Sequence, residues 1–272
     1  MQTQTSWDSS PLNDKHDPAE VSAHVGVSST PPARIPGQQH TGRFAVVDDV
    51  ERFGLHQAID LLCREGSVGL FAHTRGELDT FSAALQRAGV NATPHYWDLH
   101  HAKAADTLAP GERVLNAHGH DGTQLLVRED WGAEITQRCQ DLMQRCGVMP
   151  ASQLTLRGKV VPSLLAIASN ATGQILGVGS LIWGHCQDSA WRTYAHLGMV
   201  CVDSNARGQS LGKRVAAVLT QRAAQAVGTA GITAACASDN LASANLLRAC
   251  GLQCDSQRFC VMFTRDGERR TR

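Results

Sequence analysis

The chain has 272 residues, 42% of them hydrophobic, and its 25 Lys and Arg residues balance 25 Asp and Glu residues. Because this balance leaves no overall basic field, we expect neither nucleic acid nor a membrane surface as a partner. No apolar run approaches the length of a membrane span, and the 9 Cys residues include no Cys-x-x-Cys pair, which favours a reducing cytoplasm.

Residues 1–40 are rich in Ser, Thr, Pro, Gln and Asp and poor in large apolar residues. Such a composition cannot bury enough surface to offset the entropy of ordering, so we predict a disordered tail. A basic start followed by an apolar core is not seen, and a secretory signal peptide is therefore not indicated. A polar, Ser/Thr-rich tail also suits non-classical export, which stays open as the alternative location.

Residues 41–110 alternate between strand-like and helical patterns, which predicts a small α/β unit. The strand-like segments are Phe44–Val47, Ser67–Ala72 and His95–Leu99, and the helical ones are Leu55–Cys63 and Glu77–Ala88. We interpret the unit as an extension packed on the following domain. One version of this interpretation is that the extension is a degenerate copy of part of that domain. A nucleotide-binding unit is the weaker interpretation, because no phosphate motif accompanies the pattern.

Five histidines lie close together along this part of the chain, and imidazoles can ligate transition metals. No pair among them has the i, i+4 spacing of a helical ligand pair, and no Cys lies nearby, so we expect no metal site. The five residues are His95, His100, His101, His118 and His120.

Residues 111–266 predict the order strand, strand, helix, strand, helix, strand, and residues 267–272 form a short C-terminal tail. The predicted elements are strands Ile175–Trp183 and Tyr194–Val202, a helix from Leu211 that stops at Gly228, strand Gly231–Ala237, helix Leu241–Ala249 and a strand near Arg258–Thr264.

The junction between the second of these strands and the first helix predicts an anion site. Amide hydrogens at a helix start have no intrahelical acceptors, and the helix dipole adds partial positive charge there. Gly208 and Gly212 let the backbone approach a ligand closely, and Arg207 and Lys213 can add charge-assisted hydrogen bonds. We therefore predict that this turn binds a diphosphate.

This junction resembles the acetyl-CoA signature of the GCN5-related N-acetyltransferase (GNAT) family, Arg or Gln, two residues, Gly or Ala, one residue, Gly or Ala. The matching run is Arg207-Gly208-Gln209-Ser210-Leu211-Gly212. A second family element, Asn followed by a small residue, a Leu-Tyr pair and a Gly-Phe pair, is matched by Asn240, Ser243, Leu246-Leu247 and Gly251-Leu252. The resemblance covers about residues 112–265.

The resemblance implies an α/β (α+β) fold with a mixed, mostly antiparallel central sheet that splays at the acetyl-CoA site. It implies acetyl-CoA as co-substrate and no metal. The residues that it assigns to acetyl-CoA are Met199, Val200, Cys201, Val202, Arg207, Gly208, Gln209, Ser210, Leu211, Gly212, Lys213, Asn240 and Ser243.

Two positions depart from the family pattern. Ser210 replaces the central Gly, which still leaves its amide available, whereas Leu247 replaces the Tyr that in many members protonates the departing thiolate. The general acid is therefore unassigned. Cys201 and Cys236 are candidates for an acyl-enzyme nucleophile, although burial in an apolar core is the favoured interpretation for both.

For the general base, the period of two places His196 and Tyr194 on one face of the second strand. An imidazole titrates near pH 6.5, matched to proton transfer at cytoplasmic pH, so we favour His196, with a purely structural histidine weighed equally. His185 and Asp188, in the preceding loop, are alternatives for contact with the acceptor.

The sequence thus predicts an N-acetyltransferase that transfers an acetyl group to a primary amine by direct attack on the thioester. The acceptor is an amine-bearing small molecule or a protein, and a homodimer is left open. Two other hypotheses stay open: a non-catalytic acyl-CoA-binding regulatory module, suggested by Leu247, and a nucleotide-binding protein built on the N-terminal unit.

Overall fold

The computed structural model of the chain describes residues 35–118 and 122–267. Most of the predicted disordered tail, residue His120, the side chain of His118 and the last five residues of the chain lie outside the described residues. The end of that predicted tail differs from expectation. Gln38–Gln39 form a strand, because their backbone pairs with Val46–Val47 and the next amide, of His40, donates to the Gly184 carbonyl at 2.7 Å.

Ten strands and eight helices make up the described residues, with short 3₁₀ turns at Ala104–Thr107 and Ser204–Ala206. The strands are β1 (Gln38–Gln39), β2 (Val46–Val47), β3 (Ser67–Thr74), β4 (Thr93–Lys103), β5 (Gln124–Arg128), β6 (Ser163–Ser169), β7 (Ile175–Ile182), β8 (Tyr194–Val202), β9 (Gly231–Ala237) and β10 (Gln253–Thr264). The helices are α1 (Val50–Phe53), α2 (Leu55–Glu65), α3 (Arg75–Arg87), α4 (Leu108–His118), α5 (Gly132–Arg145), α6 (Gln153–Leu156), α7 (Leu211–Gln225) and α8 (Leu241–Ala249).

All ten strands join in one sheet, in the order β1-β2-β3-β10-β4-β9-β8-β7-β6-β5. Only β2 with β3 and β8 with β9 are parallel, and the other neighbours are antiparallel. The predicted mixed, mostly antiparallel sheet is confirmed. The last strand, β10, lies between β3 and β4, so the C-terminus of the described chain is inserted among the strands of its first third.

Helix α7 packs directly on the sheet, and this contact fixes where the helix begins. Val215, Ala216 and Leu219 are fully buried, and the side chains of Val215 and Leu219 lie against Gly179 of β7. Gly179 of β7 permits the close approach, because a Cβ there would lie only 2.7 Å from Cγ1 of Val215. The packing holds the start of α7 just beyond the end of β8.

A second core lies around β3 and β10. Leu70, Phe81 and Phe263 are at most 2% exposed, and the Phe81 and Phe263 ring centroids are 5.0 Å apart. Helix α3, which carries Phe81, begins with a capping box in which the Thr74 and Glu77 side chains each bond the other residue's backbone amide. The N-terminal helices therefore pack on a sheet that β10 completes. Among the described helices, none is long and apolar enough to cross a bilayer.

Candidate active site

Strands β8 and β9 separate partway along their length. Their parallel pairing covers only the first three residues of β8 and ends at His196 opposite Thr233. Beyond this point β8 continues to Val202 and β9 continues to Ala237, while their other edges stay paired to β7 and β4. The backbone of the last part of β8 therefore borders a gap in the sheet, and the predicted splay is confirmed.

A β-bulge deforms β8 at the splay. Val178 pairs with Cys201 and Ser180 with Gly198, so two residues of β8, Met199 and Val200, oppose one residue of β7. Met199 takes the left-handed conformation, with φ of 53°, and its sulfur accepts the Ala151 amide at 3.2 Å. The bulge changes the direction of β8 at Met199 and Val200, where the family resemblance places the thioester of acetyl-CoA.

A cavity of about 850 Å³ fills the splay. It is lined by the last seven residues of β8, by the turn into α7, by the start of α8 and by side chains of β3, β4, β9 and β10. Of the residues predicted to bind acetyl-CoA, Met199, Val200, Cys201, Val202, Arg207, Gly208, Ser210, Leu211, Gly212, Lys213, Asn240 and Ser243 line this cavity. Gln209 is exposed and does not line it.

The start of α7 has the unpartnered amides that an anion site needs. The first helical bond runs from the Arg214 amide to the Ser210 carbonyl at 3.1 Å, so the amides of Leu211, Gly212 and Lys213 have no intrahelical acceptor. Ser210 has φ of 59° and Gly208 has φ of 80°, and together they turn the chain into the helix. A Cβ at Gly208 would meet open space.

Gly212 lines the cavity and lies close to both α8 and β8. A Cβ there would lie 3.2 Å from Cδ1 of Leu246 and 3.5 Å from Cγ2 of Val202. A side chain at this position would therefore contact α8 and β8 at residues that also line the cavity.

The start of α8 closes another side of the cavity. The Asn240 side chain caps the helix by accepting the Ser243 amide at 3.0 Å. Leu247, where many family members have Tyr, is 5% exposed and lines the cavity with its apolar side chain. No hydroxyl can protonate a leaving group from this position.

His196 stands at the branch of the splay and ends a chain of buried polar groups. Its Nδ1 lies 3.2 Å from Oγ1 of Thr233, and that hydroxyl lies 3.4 Å from Nε2 of His185. Nδ1 of His185 lies 3.2 Å from both carboxylate oxygens of Asp48. Asp48 also accepts the Cys186 amide at 3.0 Å.

Donor and acceptor roles along this chain follow from the carboxylate. An ionised Asp48 only accepts, so His185 donates through Nδ1 and accepts the Thr233 hydroxyl through Nε2. The Thr233 oxygen then accepts from Nδ1 of His196, which leaves Nε2 of His196 as an acceptor. A Cβ at Gly198 would lie 3.6 Å from this Nε2, so the missing side chain leaves the nitrogen open to the cavity.

The titration expected for His196 needs correction. Burial, the largest cause, and electrostatic repulsion from the neighbouring His185 and Arg43 together lower the pKa of His196 to about 3. The expected pKa near 6.5 is that of a fully solvated imidazole, whereas this ring is only partly exposed, in the wall of the cavity. His196 is therefore neutral throughout the physiological range of pH.

The other predicted acceptor-side residues lie away from the cavity. Tyr194 packs edge-on against Trp191, with ring centroids 5.0 Å apart, and its ring covers Gly231. Asp188 is exposed, and His185 is buried behind Thr233. Strand alternation places Tyr194 on the face of His196, but β8 is still paired with β9 at Tyr194, and the cavity begins only at His196.

The two candidate nucleophilic cysteines are buried thiols. Burial raises the pKa of Cys236 to about 11 and raises that of Cys201 further. At neutral pH both are protonated, which supports their interpretation as core residues. All nine cysteines are free.

The described histidines of the predicted cluster have separate partners. His95 bonds Thr264, His100 lies near the Asp98 carbonyl, and His101 pairs with Asp255 at 3.4 Å. Over residues 35–118 and 122–267, no three His, Cys, Asp or Glu side chains are grouped to hold a metal ion.

Sequence reasoning missed four residues at or behind the site. Asp48 and Thr233 extend the hydrogen-bond chain of His196, and Arg43 and Phe71 line the cavity beside it. None of the four belongs to a local motif, because the fold brings them together from β3, β9 and the segment around β2. No signal in a single sequence indicates their proximity.

Residues 136–252 match the family model described as the acetyltransferase (GNAT) family. A comparison with curated protein sequences finds no match.

Solved structures with this fold extend over most of the chain. A GCN5-related N-acetyltransferase from Kribbella flavida matches with a TM-score of 0.56 and 14% identity, covering 82% of this chain and 81% of its own. A tandem GNAT protein from the clavulanic acid biosynthesis pathway matches with a TM-score of 0.53 and 15% identity, covering 84% and 76%. A GCN5-related N-acetyltransferase-like protein from Streptococcus suis gives 0.53 and 11%, covering 83% and 82%. At these identities the matches show the fold alone.

Proposed function

We propose that this protein transfers an acetyl group from acetyl-CoA to a primary amine by direct attack of the amine on the thioester. The observation that carries the proposal is a single cavity that runs from the unpartnered amides of α7 to Nε2 of His196. One end suits an anionic cofactor tail and the other holds a proton acceptor. The bulged edge of β8 lies between them.

The residues present fit acetyl-CoA. The amides at the start of α7, with Arg207 and Lys213, suit a diphosphate. The unpaired edge of β8 from Met199 to Val202 offers backbone groups to an extended amide-bearing arm and donors to a carbonyl oxygen. Acetyl-CoA would supply an activated acyl group with a thiolate leaving group.

The buried chain behind His196 gives a route for the amine proton. Nε2 of His196 accepts the proton as the C–N bond forms, and Nδ1 passes its own proton to Thr233. The Thr233 hydroxyl proton moves to Nε2 of His185, where the adjacent Asp48 carboxylate stabilises the positive charge. His196 can therefore accept the amine proton despite its low pKa, because the positive charge is passed on to His185 beside Asp48.

A second function is favoured by one observation, the apolar Leu247 at the position of the usual acid. A protein that only binds acyl-CoA, and regulates through its N-terminal segment, has no need for an acid there. Catalysis is still feasible without one, because a thiol with a pKa of about 8.5 leaves readily as thiolate.

Location and partners are also proposals. The nine free thiols support a reducing compartment, and we propose the cytoplasm, with non-classical export as the alternative. The acceptor is a small molecule or a protein amine, and we propose no nucleic-acid or membrane partner. A homodimer remains a hypothesis for solution measurement.

The test measures acetyl-CoA binding by calorimetry and thiol release on a panel of primary amines. We expect binding, and thiol release that depends on the amine. The double variant Arg207→Gln, Lys213→Gln should weaken acetyl-CoA binding about tenfold or more, because two charge-assisted contacts to the diphosphate are lost. Binding of acetyl-pantetheine, which has no diphosphate, should stay unchanged.

Arg222→Gln is the matched control, because Arg222 is exposed in the last turn of the same helix. Binding without thiol release would favour the regulatory module. If the folded protein does not bind acetyl-CoA, both the acetyltransferase and the regulatory module are excluded.

A further inference from the structure

Arg43 places a positive charge at the His196 end of the cavity. It lies between β1 and β2 and lines the cavity together with Phe44 and His196. Its Cζ is 4.9 Å above the Phe44 ring, and its Nη1 is 3.4 Å from the Met149 carbonyl, a long hydrogen bond. Among residues 35–118 and 122–267, no carboxylate forms an ion pair with it.

The charges that line the cavity are all of one sign. None of the described lining residues is Asp or Glu, and the cations are Arg43, Arg207 and Lys213. Arg207 and Lys213 flank the start of α7, where a diphosphate would neutralise them. Arg43 lies on a different segment beside His196, so the acetyl-CoA phosphates leave its charge unmatched.

A half-buried guanidinium that has no carboxylate partner among the described residues favours an anionic ligand. Burial lowers the pKa of Arg43 to about 10, so it is still charged at neutral pH in surroundings that disfavour the charge. A guanidinium presents its donors in a planar fork that matches the two oxygens of a carboxylate. A polyamine or other polycationic acceptor would meet repulsion and no counter-charge.

Apart from Gln39 and His196, the wall around Arg43 is mainly apolar. Phe44, Phe71 and Trp97 line this part, and the Phe71 and His196 ring centroids are 5.8 Å apart. Such a wall suits an aromatic or aliphatic group on the acceptor.

We propose that Arg43 is an acceptor-binding residue and that the acceptor is an amine bearing a carboxylate and an apolar group, as an apolar amino acid does. This inference rests on the proposed function, because it takes the His196 end of the cavity as the place where the amine binds. Arg43 holds the carboxylate, the apolar group contacts the aromatic wall, and the amine faces Nε2 of His196.

The test uses paired probes that differ only in charge. Binding of 3-phenylpropionate and of 3-phenylpropionamide to CoA-saturated protein is measured by calorimetry, and kcat/KM is measured with phenylalanine and phenylalaninamide. We expect the carboxylate to bind at least tenfold more tightly than the amide, and the free amino acid to be the better acceptor. In Arg43→Gln both preferences should disappear, whereas Arg43→Lys should retain part of them.

Arg52→Gln is the matched control, since Arg52 is exposed on α1 and does not line the cavity. Equal or tighter binding of the amide, no binding of either probe, or an unchanged preference in Arg43→Gln would overturn the assignment. If Arg43→Gln does not fold, Arg43→Lys and the preference of the unaltered protein decide the question. If the unaltered protein shows no preference for the carboxylate but still binds acetyl-CoA and releases thiol with amines, only the role of Arg43 is refuted. If it neither binds acetyl-CoA nor releases thiol, the proposed function is refuted.

Discussion

The hydrogen-bond role of His196 is set by the residues that its Nδ1 contacts, directly or through a hydroxyl. Nε2 faces the cavity, and Nδ1 contacts a hydroxyl that is itself bonded to a second imidazole and a buried carboxylate. The three residues behind the ring, Thr233, His185 and Asp48, are positioning residues. Two predictions separate their role from a merely structural one.

The first prediction is a pH profile without an imidazole limb near pH 6.5. Because the pKa of His196 is lowered to about 3, the neutral base is present at every pH above that value, and it is lost only as the pH falls through about 3. The rise of kcat/KM with pH should therefore follow the pKa of the acceptor amine. Rates with two amines of different pKa check this, and their limbs should shift with the amine.

His196→Gln should keep acetyl-CoA affinity and lower kcat about 100-fold or more, the range of one acid–base group. The unaltered protein could instead show a limb of the kcat/KM profile near pH 6.5 with both amines. If that limb is missing in His196→Gln, the lowered pKa of His196 is contradicted. An unchanged rate in the variant would make His196 structural.

The second prediction concerns Thr233, which is fully buried. Thr233→Val keeps the shape but removes the hydroxyl that joins the two imidazoles, so we expect kcat to fall about tenfold. Thr233→Ser should restore the rate. The control is Thr220→Val, which removes another fully buried hydroxyl, bonded to the Ala217 carbonyl, from outside the cavity. Equal rates in Thr233→Val and the unaltered protein would exclude the proton route.

At the scale of elements, periodicity and capping predict most of what surrounds the cavity. The prediction of β8 as Tyr194–Val202 and of β9 as Gly231–Ala237 matches the structure, as does the start of α7 at Leu211. These elements alternate or repeat cleanly and end at Gly or polar residues. β10 begins at Gln253, several residues before its predicted start, because its first residues are mostly exposed and lack the apolar pattern of a buried strand, although they pair with β4.

The acceptor end of the site could not be predicted in the same way. Asp48, His185 and Thr233 meet only because three distant segments converge, and each residue alone has an ordinary interpretation. The bulge at Met199 also has no local signal, since a left-handed Met is imposed by the surrounding sheet.

The third prediction is at the junction of β5, α5 and α6. Asp130 bonds Arg157 and Lys159 at 2.8 Å each and accepts the Gly132 amide at 2.9 Å at the start of α5. Burial alone would raise the pKa of Asp130, but these hydrogen bonds lower it well below its usual range. Its carboxylate therefore stabilises the fold above about pH 4, and this contribution is lost as the pH falls through the lowered pKa.

Asp130→Asn should lower the free energy of unfolding by about 1 to 2 kcal/mol at pH 7, and by less at pH 3. Urea midpoints at the two pH values measure the difference. Asp60→Asn, at an exposed position of α2, is the control and should change neither midpoint. A loss at pH 3 as large as the loss at pH 7 would contradict the assignment.

At the scale of the whole molecule, β10 links the N-terminal strands to the part of the chain that matches the GNAT family model. It pairs with β3 on one edge and β4 on the other, and β4 in turn pairs with β9, which borders the cavity. The cavity wall thus includes Gly69 of β3 and Met262 of β10 as well as the residues of β8. A continuous sheet of this kind should transmit a loss of core packing from one end to the other.

The last prediction is that Phe263→Ala destabilises the whole described sheet in one transition. Phe263 is 1% exposed and packs against Phe81, so its truncation should cost about 3 to 5 kcal/mol. Cys139 reports on the far end, because it is fully buried in α5, which packs near β7 and β8. Labelling of Cys139 by a thiol reagent in urea should shift to lower urea by the same free energy as the far-UV circular dichroism. Val227→Ala, at a fully exposed site, should move neither signal. If Phe263→Ala shifts the dichroism while Cys139 stays protected to the original midpoint, the N-terminal strands unfold separately from the domain that holds β7 and β8.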